Sequence, residues 1–373
     1  MKMLYAILNI IILLVFLGAF IFALWYTARR LSIHLVFIPF KVSFIAVAGI
    51  AVTSLVILLT SPMFSNSFLS VLNIISGYLL LFILFSFMLF GLLHIVQFVC
   101  KPPLLWGGTA VLAMAFIITS VSAVLGSLLI VKEVDIKISM LEKEVTIMLI
   151  SDTHIGHHRG HKFLSTIVDE TNNRNPDLIL IAGDLADGKP AFLPSVFDPL
   201  LYFNAPAYFV TGNHDVDIDR ELLIKLLEKN NIRFLNNEII ETHGIQLIGL
   251  DYMKADENSF DMHPSEKSET IKSVLLELPI KKDVPSVLMH HSPVGTVYAD
   301  AAGIDLMVSG HTHGGQIFPF SLIGELMFPF NSGLHQQGNT KIFVSNGAGT
   351  YLIRARLGSF NEINLIRLIP ENQ

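Results

Sequence analysis

Gly310-His311-Thr312-His313-Gly314-Gly315-Gln316 is the stretch from which the fold of this chain is read. It follows an apolar run, Ile304-Asp305-Leu306-Met307-Val308-Ser309, that reads as a buried strand. Two histidines spaced i, i+2 leave that strand together. In extended backbone such a pair points to one side, so both imidazoles are expected to reach one place. Neutral imidazole is the commonest side-chain metal ligand. Glycine on both sides lets the backbone turn sharply and come close to whatever the histidines hold. On its own the stretch reads equally well as a polar loop with two chance histidines. Four earlier apolar runs ending in the same kind of cluster tip the balance toward a ligand site.

Val145 to Ile150 reads as a strand and is followed by Ser151-Asp152-Thr153-His154. Leu178 to Ala182 is followed by Gly183-Asp184-Leu185-Ala186-Asp187-Gly188. The short run Tyr208-Phe209-Val210 leads into Thr211-Gly212-Asn213-His214-Asp215, and Ser286 to Met289 into His290-His291-Ser292-Pro293. Ligands gather outside the carboxyl ends of strands in open α/β sheets. These ends can therefore deliver Asp, His and Asn side chains to one region. Further strands are expected at Ile245 to Leu250, Ile342 to Ser345 and Ile363 to Leu368. Helices are expected at Lys162 to Asn173, Asp219 to Asn231 and Pro264 to Leu278. Many short strands with a few helices make an α/β domain of about 240 residues.

The residues ahead of this domain have another texture. The chain has 373 residues, of which 52% are hydrophobic, and a mean hydropathy of +0.59. Residues 1–132 hold no Asp or Glu and only six basic residues, Lys2, Arg29, Arg30, Lys41, Lys101 and Lys132. Four apolar stretches, about 4–26, 36–59, 68–99 and 106–131, each meet the ~20 residues that a membrane-spanning helix needs. We therefore expect a membrane domain over 1–132 and an α/β domain over 133–373. Arg29, Arg30 and Lys41 in or near the first loop, and Lys101 in the third, place those loops in the cytoplasm by the positive-inside rule. The α/β domain is then expected on the far side of the membrane, the bacterial inner membrane if the source is bacterial. From Glu133 onward lie all 31 acidic residues and 19 basic ones, a formal charge of −12. Such a surface repels phosphate backbones, and no nucleic-acid binding is expected. The single cysteine, Cys100, rules out an intrachain disulfide and a cysteine zinc site.

Carboxylate, imidazole and amide ligands without thiolate suit a pair of divalent ions such as manganese, iron or zinc. Two ions roughly 3.5–4 Å apart can activate water against an anionic phosphoester. The five clusters, in this order, resemble the calcineurin-like metallophosphoesterases over about Val145 to Leu368. The run His311 to Gln316 and the later Phe343-Val344-Ser345-Asn346-Gly347-Ala348-Gly349 look most like the bacterial membrane-associated branch. The resemblance implies a four-layer α-β-β-α sandwich with a dinuclear metal centre. It implies that Asp152, His154, Asp184 and His313 hold one ion, and that Asp184 bridges to a second held by Asn213, His291 and His311. It further implies that His214 sits beside the scissile phosphate and that Asp215 orients His214. Gly314 and Gly315 are expected to leave room for the phosphate.

His290 and His291 are adjacent and point to opposite sides of a strand, so one of them is the ligand. The family pattern, with its ligand two residues before proline, selects His291. Asp187 completes the Gly-Asp-x-x-Asp pattern and is read as a loop-structuring residue. His157, His158, Arg159, His161 and Lys162 are read as a solvated cationic loop. The mixed-charge stretch Asp251 to His263 is a candidate specificity loop. Apolar runs at 317–323 and 326–330 read as a packed loop cap or as a greasy rim for a lipid-linked substrate. The expected function is hydrolysis of a phosphodiester or pyrophosphate. Two alternatives are an enzyme acting on soluble nucleotides and a non-catalytic membrane sensor or scaffold.

Overall fold

A computed structural model describes residues 2–100, 103–193, 195–259, 268–328 and 330–371, without the side chains of 2–10 and 12. Lys101, Phe260 to His263, Pro264 to Lys267 and Pro329 lie outside this description, as do the readings made on them. The chain divides into two compact units, residues 1–61 with 71–123 and residues 62–70 with 124–373.

The helical unit is built on α1 (Lys2–His34), α2 (Phe40–Thr60), α3 (Ser67–Val96) and α4 (Leu104–Leu125). All four are long and apolar enough to cross a membrane. Their packing differs from that of a water-soluble bundle, although Leu58, Leu81, Phe85 and Phe90 are buried as well. Ser43, Ser54, Asn73, Ser76, Thr119 and Ser122 are buried, while Leu14, Val15, Phe16, Ile45 and Phe68 are well over half exposed. Small and hydrogen-bonding residues at helix contacts with apolar residues outside is the arrangement that lipid selects. Asn73 donates to the Ser61 hydroxyl at 2.6 Å, which satisfies it within the unit.

Two expectations need correction here. The first helix does not stop near Tyr26 but continues to His34, so Arg29 and Arg30 are helical and not in a loop. Arg30 is buried and donates to Gln97 Oε1 at 2.6 Å. The last helix ends at Leu125, not Val131. Leu129–Ile138 forms strand β1, whose side chains alternate with period two. The boundary expected between 132 and 133 therefore falls inside a strand.

The α/β unit carries two six-stranded mixed sheets. The first runs β1, β12 (Asn361–Pro370), β2 (Val145–Ile150), β3 (Leu178–Ala182), β4 (Ala207–Val210) and β5 (Ile232–Phe234). The second runs β10 (Gly333–Gln337), β11 (Thr340–Val344), β9 (Leu306–Ser309), β8 (Ser286–Met289), β7 (Ile245–Gly249) and β6 (Glu238–Thr242). β2, β3 and β4 are parallel, as are β7, β8, β9 and β11, so the carboxyl ends of each set share one edge.

Strand side chains alternate between two cores. Ile147, Leu149 and Leu180 face the other sheet and pack with Leu247, Met289, Val308 and Phe343. Met148, Ile150, Ile179 and Phe209 face outward onto α5 (His161–Asn172) and α7 (Arg220–Lys229). On the far side Ile248, Leu288 and Met307 pack on α8 (Ile271–Glu277) and α9 (Thr296–Ala302). The layers are helix, sheet, sheet, helix, the expected four-layer sandwich. Burying each such side chain is worth ~1.5–3 kcal/mol, which is why the strands read as continuous apolar runs rather than alternating ones.

The helix expected from Pro264 begins, within the described residues, only at Ile271. Thr270 is extended, its hydroxyl accepts the Ser273 N–H at 3.2 Å, and the Ser273 hydroxyl accepts the Thr270 N–H at 2.9 Å. This capping box sets the start. The apolar run expected as a loop is in part a helix, α10 (Phe320–Met327), and none of its residues is buried.

Candidate metal centre

The five strand ends converge as expected, through an unusual backbone. Asp152, His154, Asp184, His311 and His313 all take left-handed φ values between 45° and 72°. These account for five of thirteen non-glycine residues with positive φ among the described residues. Such conformations cost of order 1–3 kcal/mol each and persist where the surroundings impose them, typically at functional sites. His311 and His313 are not on extended backbone and do not reach one place. They turn to opposite halves of a divided site.

In the first half, His313 Nε2 lies 3.6 Å from Asp152 Oδ1 and 3.2 Å from His154 Nε2. In the second, His291 Nε2 lies 3.2 Å from Asp184 Oδ2 and 3.2 Å from His311 Nδ1. Asp184 stands between them, with Oδ2 3.7 Å from His154 Nε2. Asp152, His154 and His313 form one group with ligand atoms within 4.8 Å of one another, and Asp184, His291 and His311 form another. His154, Asp184 and His214 overlap the first. Asn213 is buried, and its Oδ1 has no hydrogen-bond partner. A buried amide oxygen without a donor is costly unless a cation meets it. Together with ring nitrogens facing each other at 3.2 Å, this is a donor set that fits divalent ions.

The surroundings orient these groups. His291 Nδ1 donates to the Ala182 carbonyl at 2.8 Å, leaving Nε2 for the site. The Asp152 carboxylate accepts the His311 N–H and the Ser151 hydroxyl. His290 faces the other way, with Nδ1 donating to Ser292 O at 2.8 Å and its ring parallel to Tyr252. The pleat thus separates the two adjacent histidines.

Burial pushes the Asp152 carboxyl up to about 6, against the pull of His291. Burial also opposes charge on Asp184, but His291, His214 and His154 hold its carboxyl well below the usual range. His154 and His313 are driven well below the ordinary imidazole value by burial, so both stand neutral, the form that binds a cation. Burial acts on His291 in the same sense, yet Asp184 and Asp152 carry it up to about 10.

Other expectations change. Asp215 does not turn toward His214. Its Oδ1 accepts the N–H groups of Leu185 and Ala186, both at 3.0 Å, and its Oδ2 accepts that of Gly212 at 2.9 Å. It ties the loop after β3 to the start of α6 (Asn213–Asp217). The carboxylate facing the His214 ring is Asp187, 3.8 Å from Nδ1. A side chain at Gly314 would meet Asn346 Oδ1, and one at Gly315 would meet the Ser321 backbone. The space those glycines leave is filled by the protein, not held for a phosphate. The loop read as solvated and cationic is partly neither. Arg159 is buried and donates to Thr350 Oγ1 at 2.7 Å and Gly126 O at 2.8 Å. Burial, then Arg159, pushes His158 down to about 3.

Three residues beside the site have no role that the sequence assigns. Tyr351 lies with its ring 4.7 Å from that of His214 and 5.7 Å from that of His154. Asn346 stands beside Gly314, and Arg356 behind His313. Asn346 fell within a quoted motif but had no partner in sequence to give it a role. Tyr351 and Arg356 are lone residues in an irregular stretch.

Residues 145–315 match the model of the calcineurin-like phosphoesterase family. An uncharacterized metallophosphoesterase of Helicobacter pylori is 34% identical over 250 residues, 65% of this chain and 65% of that protein. One from Campylobacter jejuni is 32% identical over 243 residues, 64% and 63% of the two chains. A transmembrane protein with metallophosphoesterase domain from Danio rerio is 33% identical over 276 residues, 68% of this chain and 62% of that one. Each match takes in somewhat less than two thirds of the relative's length. With its strand-end clusters and this match, the α/β domain of this chain is similar to the calcineurin-like phosphoesterases over residues 145–315.

Proposed function

We propose that the chain is a membrane-anchored phosphoesterase that uses two divalent ions, manganese, iron or zinc, to hydrolyse a phosphodiester or pyrophosphate bond. The observation that carries the reading is the divided donor set around Asp184, with the unsatisfied Asn213 oxygen inside it. Asp152, His154, Asp184 and His313 would hold one ion, and Asp184, Asn213, His291 and His311 the other. Bound there, the ions would supply the Lewis acidity that activates water and offsets phosphoryl charge. His214 is half-buried beside Asp187 and Tyr351, placed to donate a proton or hydrogen bond to the leaving oxygen. Asp215 holds the loop that carries His214. Metal analysis of the purified full-length protein, with a phosphoester panel, tests this reading. A folded protein that takes up no divalent ion would sink it.

A lipid-linked substrate is the finer reading, favoured by α10. Phe320, Leu322, Ile323 and Met327 are between 42% and 52% exposed and Leu326 is 88% exposed. The helix end at Met327 and Phe328 lines a cavity of about 360 Å³ with His311, Lys254, Thr296 and Tyr298. The lining combines Lys254, Asp256 and hydroxyl groups with Val294, Val297, Met327 and Phe328, the mixture of polar and apolar surface that an amphiphile requires. Leu326→Asp should lower turnover of a lipid-linked diphosphate and leave a soluble nucleotide unaffected. Equal loss on both would favour the soluble-substrate alternative. We also propose that the α/β domain faces away from the cytoplasm. Its protection from protease added outside the inner membrane would overturn that placement.

A further inference from the structure

Arg356 leads the fully buried side chains by volume. Its Nη1 donates to the His313 carbonyl at 2.6 Å and to Ser359 Oγ at 2.9 Å. Nη2 donates to the carbonyls of Asn346 at 2.6 Å, Gly349 at 2.7 Å and Gly347 at 3.2 Å. Nε donates to Asn361 Oδ1 at 2.9 Å. Every partner is neutral. Burial pulls the guanidinium down to about 10 against the charges of Asp152 and Glu362, and an apolar side chain would serve bulk packing better. What the guanidinium provides is a rigid fork that fixes several acceptors at once.

Those acceptors belong to the two segments that frame the first ligand group. One is His313 itself. The other is the turn 346–349, whose Ala348 and Gly349 N–H groups donate to the Ser151 and Asp152 carbonyls at 2.8 and 2.7 Å. Arg356 therefore clamps the His313 side to the Asp152 side. Asn361 extends the clamp. While its Oδ1 accepts from Arg356, its Nδ2 donates to Gly126 O at 3.0 Å and Leu128 O at 2.8 Å. Gly126 O also takes Arg159, whose other arm holds Thr350. A Cβ at Gly126 would lie 2.5 Å from Ala355 Cα and 2.7 Å from its nitrogen. The segment that follows α4 is thus fastened directly to the loop containing Arg356.

We propose that Arg356 is a positioning residue that holds His313 and Asp152 in register, and that Asn361 builds Gly126 into the same frame. The inference rests on the two-ion reading above. In it, the chain leaving the last apolar helix is part of what sets the geometry of the ion held by Asp152, His154, Asp184 and His313.

The test uses full-length protein in detergent, stripped of ions and titrated calorimetrically with Mn²⁺. Arg356→Met should weaken one of the two Mn²⁺ sites by about 10- to 100-fold and leave the other unchanged, with Arg356→Lys recovering part of the loss. Gly126→Ala and Asn361→Leu should weaken that same site by about 3- to 10-fold. On a generic phosphodiester at limiting Mn²⁺, kcat should fall while KM holds. Variants that melt at lower temperature without ions yet bind Mn²⁺ like the parent would show a merely structural role and overturn the proposal. If Arg356→Met does not fold, Gly126→Ala decides, since parental Mn²⁺ affinity there overturns it equally. Failure of the parent to bind Mn²⁺, Fe²⁺ or Zn²⁺ would overturn the two-ion reading before any variant is compared.

Discussion

The two ligand groups differ in what they hold in place of a cation. Around Asp152, His154 and His313, burial keeps both imidazoles neutral and raises the carboxyl to about 6, so this half is already in or near its binding form. Around Asp184, His291 and His311, a proton on His291, raised to about 10, balances the low-lying Asp184 carboxylate. The lesson is that burial alone does not set protonation here. The same depth of burial gives opposite outcomes, according to how closely a carboxylate stands, 3.2 Å from His291 against 3.7 Å from His154 and 3.6 Å from His313.

The largest test of this contrast is the residue both halves share. Asp184→Asn should lose both ions and lower turnover on the order of 10³-fold or more, with the ion-free fold intact by circular dichroism. Retention of one ion equivalent would show that Asp184 is not a bridge. Next, His313→Ala and His311→Ala should each leave about one ion equivalent, from opposite halves, with turnover down roughly 10²-fold. Loss of both ions in either variant would mean that the halves load as one unit.

A pH series sharpens the comparison further. His291 is raised, so the stability it contributes is complete below its unfolded value and is lost as pH climbs toward about 10. Asp152 and Asp215 are also raised, to about 6 and about 7, and their contributions too are lost as pH rises through those values. His154 and His313 are lowered and act oppositely, but only as pH falls below the ordinary imidazole range. Between pH 7 and 9 the ion-free Tm should therefore drop, and the rise in Tm on adding Mn²⁺ should grow. A rise independent of pH would remove the proton-for-ion account of His291. The smallest effect is expected at Asp215→Asn. It replaces one acceptor facing the Gly212 N–H, so a loss of ~1–3 kcal/mol of stability with unchanged ion content is the expected outcome.

Much of this site was legible because each ligand follows a strand that is apolar on both faces. Runs such as Leu178 to Ala182 announce their own ends, and the polar residue after each end is found by counting. What was not legible depended on tertiary partners. The resemblance made Asp215 the helper of His214, yet both its oxygens are turned to backbone N–H groups, two of them delivered by the loop after β3. Arg159 looked solvated among histidines until Gly126 and Thr350 were brought to it from distant positions. The end of the last apolar helix was missed for a different reason. Leu128 to Val131 is apolar enough to continue a span, and only the alternation of Val134, Ile136 and Ile138 with charged residues marks a strand. That cue lies after the boundary it would have placed.

The position of β12 has a consequence for how the chain is made. It lies between β1 and β2, parallel to the former and antiparallel to the latter, with ten residue pairs to β1. During synthesis β1 leaves the ribosome directly behind α4, more than 220 residues before its neighbour exists. The apolar helices can enter the membrane as they emerge, but the first sheet stays split until 361–370 are translated. Across that interval β1 lacks its strand partner, the situation in which nascent chains most need protection from misassembly.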